Sequence, residues 1–366
     1  MSTPEHEYRP ATGVPAEPWF GERRGEKVQL HIGVFKDGRW SYLYGDDTVY
    51  GNAVPDIEAV REAARRARTG PLPDRVQGPV MKAPVWTWEV PLYFWFGGIA
   101  AGSSFVALAC DLAGDHSSAQ TARKVALAAL APSPVLLILD LGRPQRFYNM
   151  LRIVKPRSPM SMGAWALTVF GNLGAGAVAA DLLGRPKIGR ALGAANALVG
   201  GYLGSYTGVL LAATAVPVWA RSRLFLGPIF VSTATATGAA ACRLVLSATG
   251  VPPRHPTRVA LANVETGAMA AELVLSVINE RRLGPLARVL EEGRPARLFK
   301  AAKWAVRAGL ASQLARRRST AFQHTASALY LAAGLLFRYA WVTAGPNSAR
   351  DDRVVAEMAR SRRHGD

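Results

Sequence analysis

The sequence predicts an all-α protein, a polytopic membrane bundle of about eight transmembrane helices behind a short polar N-terminal extension. Three observations lead there. Residues 1–85 are crowded with Arg, Lys, Asp and Glu, whereas 191–220 contain no Asp, Glu, Lys, Arg or His. Several stretches supply the roughly 20 apolar residues that a hydrocarbon core ~30 Å thick requires. Basic residues also gather in alternate loops, as they do when a chain crosses a membrane repeatedly. The mean hydropathy of +0.09 over 366 residues therefore averages a polar segment with intensely apolar ones. Two or three soluble domains of the usual ~100–200 residues do not fit that distribution.

Taken in order, residues 1–17 are rich in Pro and Glu and read as a disordered tail. VQLHIGVF and RWSYLY flank Lys36-Asp37-Gly38, and alternation around an Asp-Gly turn predicts a hairpin. Pro55-Asp56 opens a short basic helix that Gly70-Pro71 ends. This is enough for a docking module and too little for a core. We divide the chain into an extension at 1–84, a transmembrane domain at 85–345 and a basic tail at 346–366. The first apolar run begins near Pro91, beyond the place of a cleavable signal peptide.

The expected spans are Pro91–Leu112, Val125–Leu141 (bent at Pro132 and Pro134), Met162–Leu183, Ala191–Val218, Leu224–Ala248, Val259–Ile278 and Thr320–Ala344, the last flanked by His324 and Arg338, with Arg123 and Lys124 in the loop before the second. Ala301–Ala315, interrupted by Lys303 and Arg307, is a poor span alone and serviceable inside a bundle with its basic side chains snorkelling. The N-terminal segment, the 142–160 and 280–297 loops and the C-terminal tail are all basic, which places both termini in the cytoplasm and favours the even count of eight. Gly98 and Gly102, and Gly200, Gly204 and Gly208, recur at four-residue spacing and let helix backbones approach in lipid.

Ionisable groups at membrane depth cost about 2.5–3.5 kcal/mol on insertion scales, so each needs a reason. Glu89 follows Trp86 and Trp88 at the lip of the first helix, with Tyr93 one turn further in on the same face. Spacing alone fits either an aromatic belt with an interfacial carboxylate or a carboxylate–phenol pair for a quinone oxygen. Asp140 ends the second span just before Gly142 and Pro144; either it pairs with Arg143, or it joins Tyr148 and Asn149 around a pocket at the bundle mouth. A deeper group holds Asn172, Asp181, Asn196, Tyr202, Tyr206, Arg243, Glu265 and Glu272. Glu265 and Glu272 share a helix face, so Arg243 with a glutamate is either a buried ion pair or part of a proton path.

Other chemistries lack their residues. Only His324 of six histidines lies near a span, so a two-histidine haem is not expected. Cys110 and Cys242 sit alone in apolar runs, which excludes a thiolate cluster or zinc site of the chain's own and leaves free buried thiols. No nucleotide-binding, zinc-protease or serine-hydrolase motif accompanies the bundle. The basic tails, within a net charge of +18, suit a lipid surface or a protein partner, and no aromatic-lined basic groove suggests nucleic acid.

WTWEVPLYFWFGGIAAGSS, LDLGRPQRFYNMLRIVKPRSPMSMGAW, YTGVLLAATAVPVW and LLFRYAWVTAG together resemble the NrfD/polysulfide reductase membrane-subunit family over about Val85–Asp352. The resemblance implies eight helices in two four-helix bundles, with no haem and no metal in this chain. It implies partners as well: a ferredoxin-like iron–sulfur subunit and a molybdopterin-dependent catalytic subunit, with electrons passing between a partner cluster and menaquinone or ubiquinone in the cell membrane. By motif position it carries a quinone-site role onto Tyr93, Asp140, Tyr148 and Asn149, and more weakly onto Glu89 and Tyr206. Asp140 and Glu89 are the expected proton-handling groups. Arg243, Glu265 and Glu272 form a candidate proton path. The competing functions are a secondary transporter, which should show paired broken helices in two repeats, and a scaffold without quinone.

Overall fold

The computed structural model describes residues 80–141, 144–315 and 319–361. The expected hairpin, the helix after Pro55, Arg143 and Arg316–Arg318 lie outside the described residues. Among those described there is no strand. Ala83–Val354 form one compact unit. Its helices are α1 (Glu89–Leu112), α2 (His116–Leu130), α3 (Pro132–Leu139), α4 (Pro159–Leu182), α5 (Pro186–Ala212), α6 (Pro217–Arg221), α7 (Arg223–Ala248), α8 (Pro256–Leu283), α9 (Arg288–Glu291), α10 (Gly293–Leu314) and α11 (Thr320–Ala349).

Among the described residues six spans are long and apolar enough to cross a membrane, α2 and α3 counting as one: α1, α2–α3, α4, α7, α8 and α11. α5 and α10, at 27 and 22 residues, are long enough but fall short of that apolar standard. In α5 the cause is Gly, Ser, Tyr and Asn196; in α10 it is the basic residues through Arg307. α10 begins eight residues before the expected Ala301 and α5 ends at Ala212, short of Val218, because the chain turns there and restarts at Pro217.

Local chemistry sets the helix ends. Gly114 and Gly184, at φ of 80° and 69°, follow α1 and α4. The amides of Asp115 and Arg185 then bond back to the carbonyls of Cys110 and Ala180 at 2.9 and 2.8 Å, a left-handed cap that glycine tolerates best. Asp115 accepts from the Ser118 amide at 3.1 Å and so starts α2 nine residues before the expected Val125. Arg123, expected in a loop, is buried in α2: Nη1 donates to Asp111 at 2.5 Å and Nε to Asp181 at 2.6 Å, tying α1, α2 and α4 at the end remote from Glu89.

α1, α2–α3, α4 and α5 pack as one group of four, and α7, α8, α10 and α11 as a second. The groups meet where α1 presses on α7 and α11 and where α5 presses on α7. At Gly102 and Gly238 the backbones of α1 and α7 touch, and a Cβ on either would overlap main-chain atoms of the other helix. Arg338, expected to flank the last span, is fully buried and bridges the groups: Nε donates to the Phe94 carbonyl and Nη1 to Gly334, both at 3.0 Å. Cys110 and Cys242 are buried free thiols in one apolar cluster.

Candidate functional site

Four helix ends converge near Glu89: the start of α1, the end of α3, the start of α4 and the last turns of α5. Between them lies a cavity of about 550 Å³ including its open mouth. Leu137, Leu167, Leu203 and Leu210 supply apolar walls, and Tyr93, Asp140 and Tyr206 supply polar atoms. Tyr206 reaches α4 because Gly163 has no side chain; a Cβ there would overlap its ring. The Tyr206 hydroxyl donates to the Pro159 carbonyl at 3.1 Å, fixing the phenol against the start of α4. Tyr93 is buried beside it in the same apolar cluster.

The lip is built from aromatic rings. Trp86 lines the cavity and stacks on Trp219 with centroids 4.8 Å apart at 21°. Trp219 in turn donates its indole N–H to the Trp341 carbonyl at 2.8 Å, so the segment leading into α1 is anchored on α6 and α11. Glu89, the first residue of α1, is half-buried and accepts from the Thr87 hydroxyl. Asp140 caps α3. Burial raises its carboxyl above the usual aspartate range, and the nearby Glu89 carboxylate raises it further. A carboxyl that takes up a proton more readily than an ordinary aspartate, at the mouth of an apolar pocket, is equipped to give and take one.

The structure thus brings Tyr93, Asp140 and Tyr206 together, with Glu89 at the rim. Tyr148 and Asn149 lie on an exposed 3-10 turn, Pro144–Leu151, where Tyr148 is 53% exposed; of that turn only Met150 lines the cavity. Asn149 accepts from Arg152 at 3.4 Å. Arg243, Glu265 and Glu272 belong to the second helix group and do not face this cavity. Arg243 pairs with Glu265, while Glu272 accepts from Ser276 at 2.8 Å. Asn172 bonds back to the Thr168 carbonyl at 2.8 Å and Asp181 is engaged by Arg123, so neither joins the site.

Sequence reasoning missed Gly163, Leu203, Leu210, Met150 and Met160 as lining residues. Leu203 and Leu210 flank Tyr206 at three- and four-residue steps, a helical signal that marks one face without saying what it faces. Among the described residues no group of three or more His, Cys, Asp or Glu is arranged to hold a metal ion.

A family model described as "Polysulphide reductase, NrfD" matches residues 78–290. No curated protein matches the chain.

Proposed function

Because the chain belongs to the NrfD polysulphide reductase family, integral-membrane subunits of oxidoreductase complexes that interact with quinone, we propose that the Tyr93–Asp140–Tyr206 cavity is its quinone site. The observation that carries this reading is the joining of apolar walls, two buried phenols and one partly buried carboxyl at a single membrane-surface mouth. Those residues fit the group. Leucine walls suit a quinone ring and its hydrocarbon chain, and phenol and carboxyl suit its oxygens. When bound there, a quinone supplies two-electron, two-proton redox chemistry. This chain's own residues supply position, protons and a water-poor surrounding. Tyr206 commits its O–H to Pro159 and so holds α5 against α4; Tyr93 presents a phenol from α1. Asp140 binds a proton more readily than an ordinary aspartate at the mouth, close to water, and Glu89 adds to that tendency.

The wider reading is an eight-span subunit that binds an iron–sulfur protein, itself attached to a molybdopterin enzyme, over the mouth of this cavity. Phe147, Tyr148, Leu151, Ile153 and Val154 are exposed there beside Arg146 and Arg152, an apolar and basic face that supports such docking. On this reading Tyr148 and Asn149 meet the partner at the mouth, and lysine–arginine bias puts that face and both termini in the cytoplasm. A transporter would need paired broken helices in two repeats; α2–α3 breaks at Ala131–Pro132, and among the described residues none of the long helices α7, α8, α10 and α11 is broken midway in the same manner.

The test is Asp140→Asn in the purified complex. Quinone turnover should fall by about 10²-fold or more, the scale of a lost general acid, while the partners still co-purify. Turnover at the wild-type rate would remove Asp140 from proton handling.

A further inference from the structure

α8 carries Glu265, Glu272 and Glu280 at seven- and eight-residue steps, a row about 22 Å long at 1.5 Å per residue. The three carboxyls are partnered differently. Glu265 is 0% exposed and is gripped from three other helices: by Arg243 of α7, by the Ser327 hydroxyl of α11 at 2.9 Å, and by Gln313 of α10 at 3.5 Å. Arg243 also donates to Ser327 at 3.3 Å, closing the network. Glu280, half-buried, accepts from Lys303 of α10 at 2.6 Å.

Glu272 stands between them, 4% exposed, and accepts from Ser276 one turn along its own helix at 2.8 Å. The charged groups facing it are Glu280 of α8, Lys303 of α10 and Arg338 of α11; α7 presents the uncharged Thr233. Among the described residues neither cation closes to ion-pair distance on Glu272. Lys303 is engaged by Glu280, and Arg338 directs Nε and Nη1 at the carbonyls of Phe94 and Gly334. A carboxylate buried without a contacting cation costs several kcal/mol, and a carboxyl that keeps its proton avoids that cost.

A narrow cavity of about 300 Å³, adjoining solvent space included, touches Glu272 and is lined also by Ser276, Lys303, Thr233 and Gly334. Lys303 and its partner Glu280 are each 24% exposed, so that end of the cavity is the one nearest water. We propose that Glu272 is a proton-exchange site of the second helix group, a carboxyl that holds a proton and trades it with water through this cavity, whereas Glu265 is an ion-paired tie among α7, α8, α10 and α11. The proposal concerns a cavity separate from the quinone site and does not depend on that reading.

Two measurements on the intact complex test it. Infrared spectroscopy should show a protonated-carboxyl C=O band that shifts in deuterium oxide, disappears in Glu272→Gln and survives in Glu265→Gln. A spectrum unchanged by Glu272→Gln overturns the proposal. Dicyclohexylcarbodiimide on the wild-type complex needs no variant to fold. The carboxyl proton passes to a carbodiimide nitrogen, the carboxylate oxygen bonds to its central carbon, and the adduct rearranges to a stable N-acylurea with nothing oxidised or released. Peptide mass spectrometry should find that adduct on Glu272 and not on Glu265. No adduct on Glu272, or one on Glu265 in its place, contradicts the assignment.

Discussion

At Asp140 two effects act in the same direction. Burial disfavours the charged form, and Glu89 adds like-charge repulsion, so the carboxyl keeps its proton to a higher pH than an isolated aspartate. Between the ordinary and the raised value the folded chain binds more protons than the unfolded one. This group's stabilising contribution is therefore complete below the ordinary aspartate value and is lost as pH climbs through the raised one. If Asp140 serves the proposed quinone site, quinone reduction, which consumes protons, loses a donor over the same window. Glu89→Gln removes the repulsion and should move the alkaline limb of the reduction rate to lower pH. A pH–rate profile whose limb does not move would show that Glu89 does not act on Asp140.

Elements are held by features that a single substitution reaches. Where α1 and α7 touch at Gly102 and Gly238, an added methyl meets backbone that has no room to yield. Gly238→Ala should lower stability by about 1–3 kcal/mol, the usual cost of overpacking, and loosen the contact between the two helix groups. Thermal unfolding in detergent measures it, and an unchanged midpoint would mean the helices are not in backbone contact. At the opposite end Arg123 neutralises Asp111 and Asp181, all three at 9% exposure or less. Arg123→Ala strands the buried Asp181 carboxylate and leaves Asp111 with only His116, at 3.1 Å, and should cost on the order of 3–5 kcal/mol in the same assay. A loss below 1 kcal/mol would mean that water reaches them.

For the whole molecule, what could be read in advance divides along physical lines. The apolar runs announce membrane helices because lipid demands them, and α1, α4 and α7 begin and end within three residues of expectation. Arg123 and Arg338 were misjudged as loop and flanking residues because a charge in sequence does not disclose a partner: Asp181 lies 58 residues from Arg123, and the Phe94 carbonyl 244 from Arg338. Spacing alone leaves Tyr93 and Asp140 with ordinary alternatives, and only the family resemblance groups them with Tyr206 in one site. Spacing does not show their meeting, since it depends on Gly163 admitting the Tyr206 ring and on which face α5 turns to α4. Tyr148 and Asn149 adjoin the site along the chain, yet the 3-10 turn directs that segment to the surface.

The most direct test of this account is saturable photolabelling of the purified complex with a photoreactive quinone analogue, read by peptide mass spectrometry. We expect quinone-competed crosslinks on α1 near Tyr93, on α4 at Gly163–Leu167 and on α5 near Tyr206. Competed crosslinks confined to α7, α8, α10 and α11, or labelling that quinone does not displace, would contradict it.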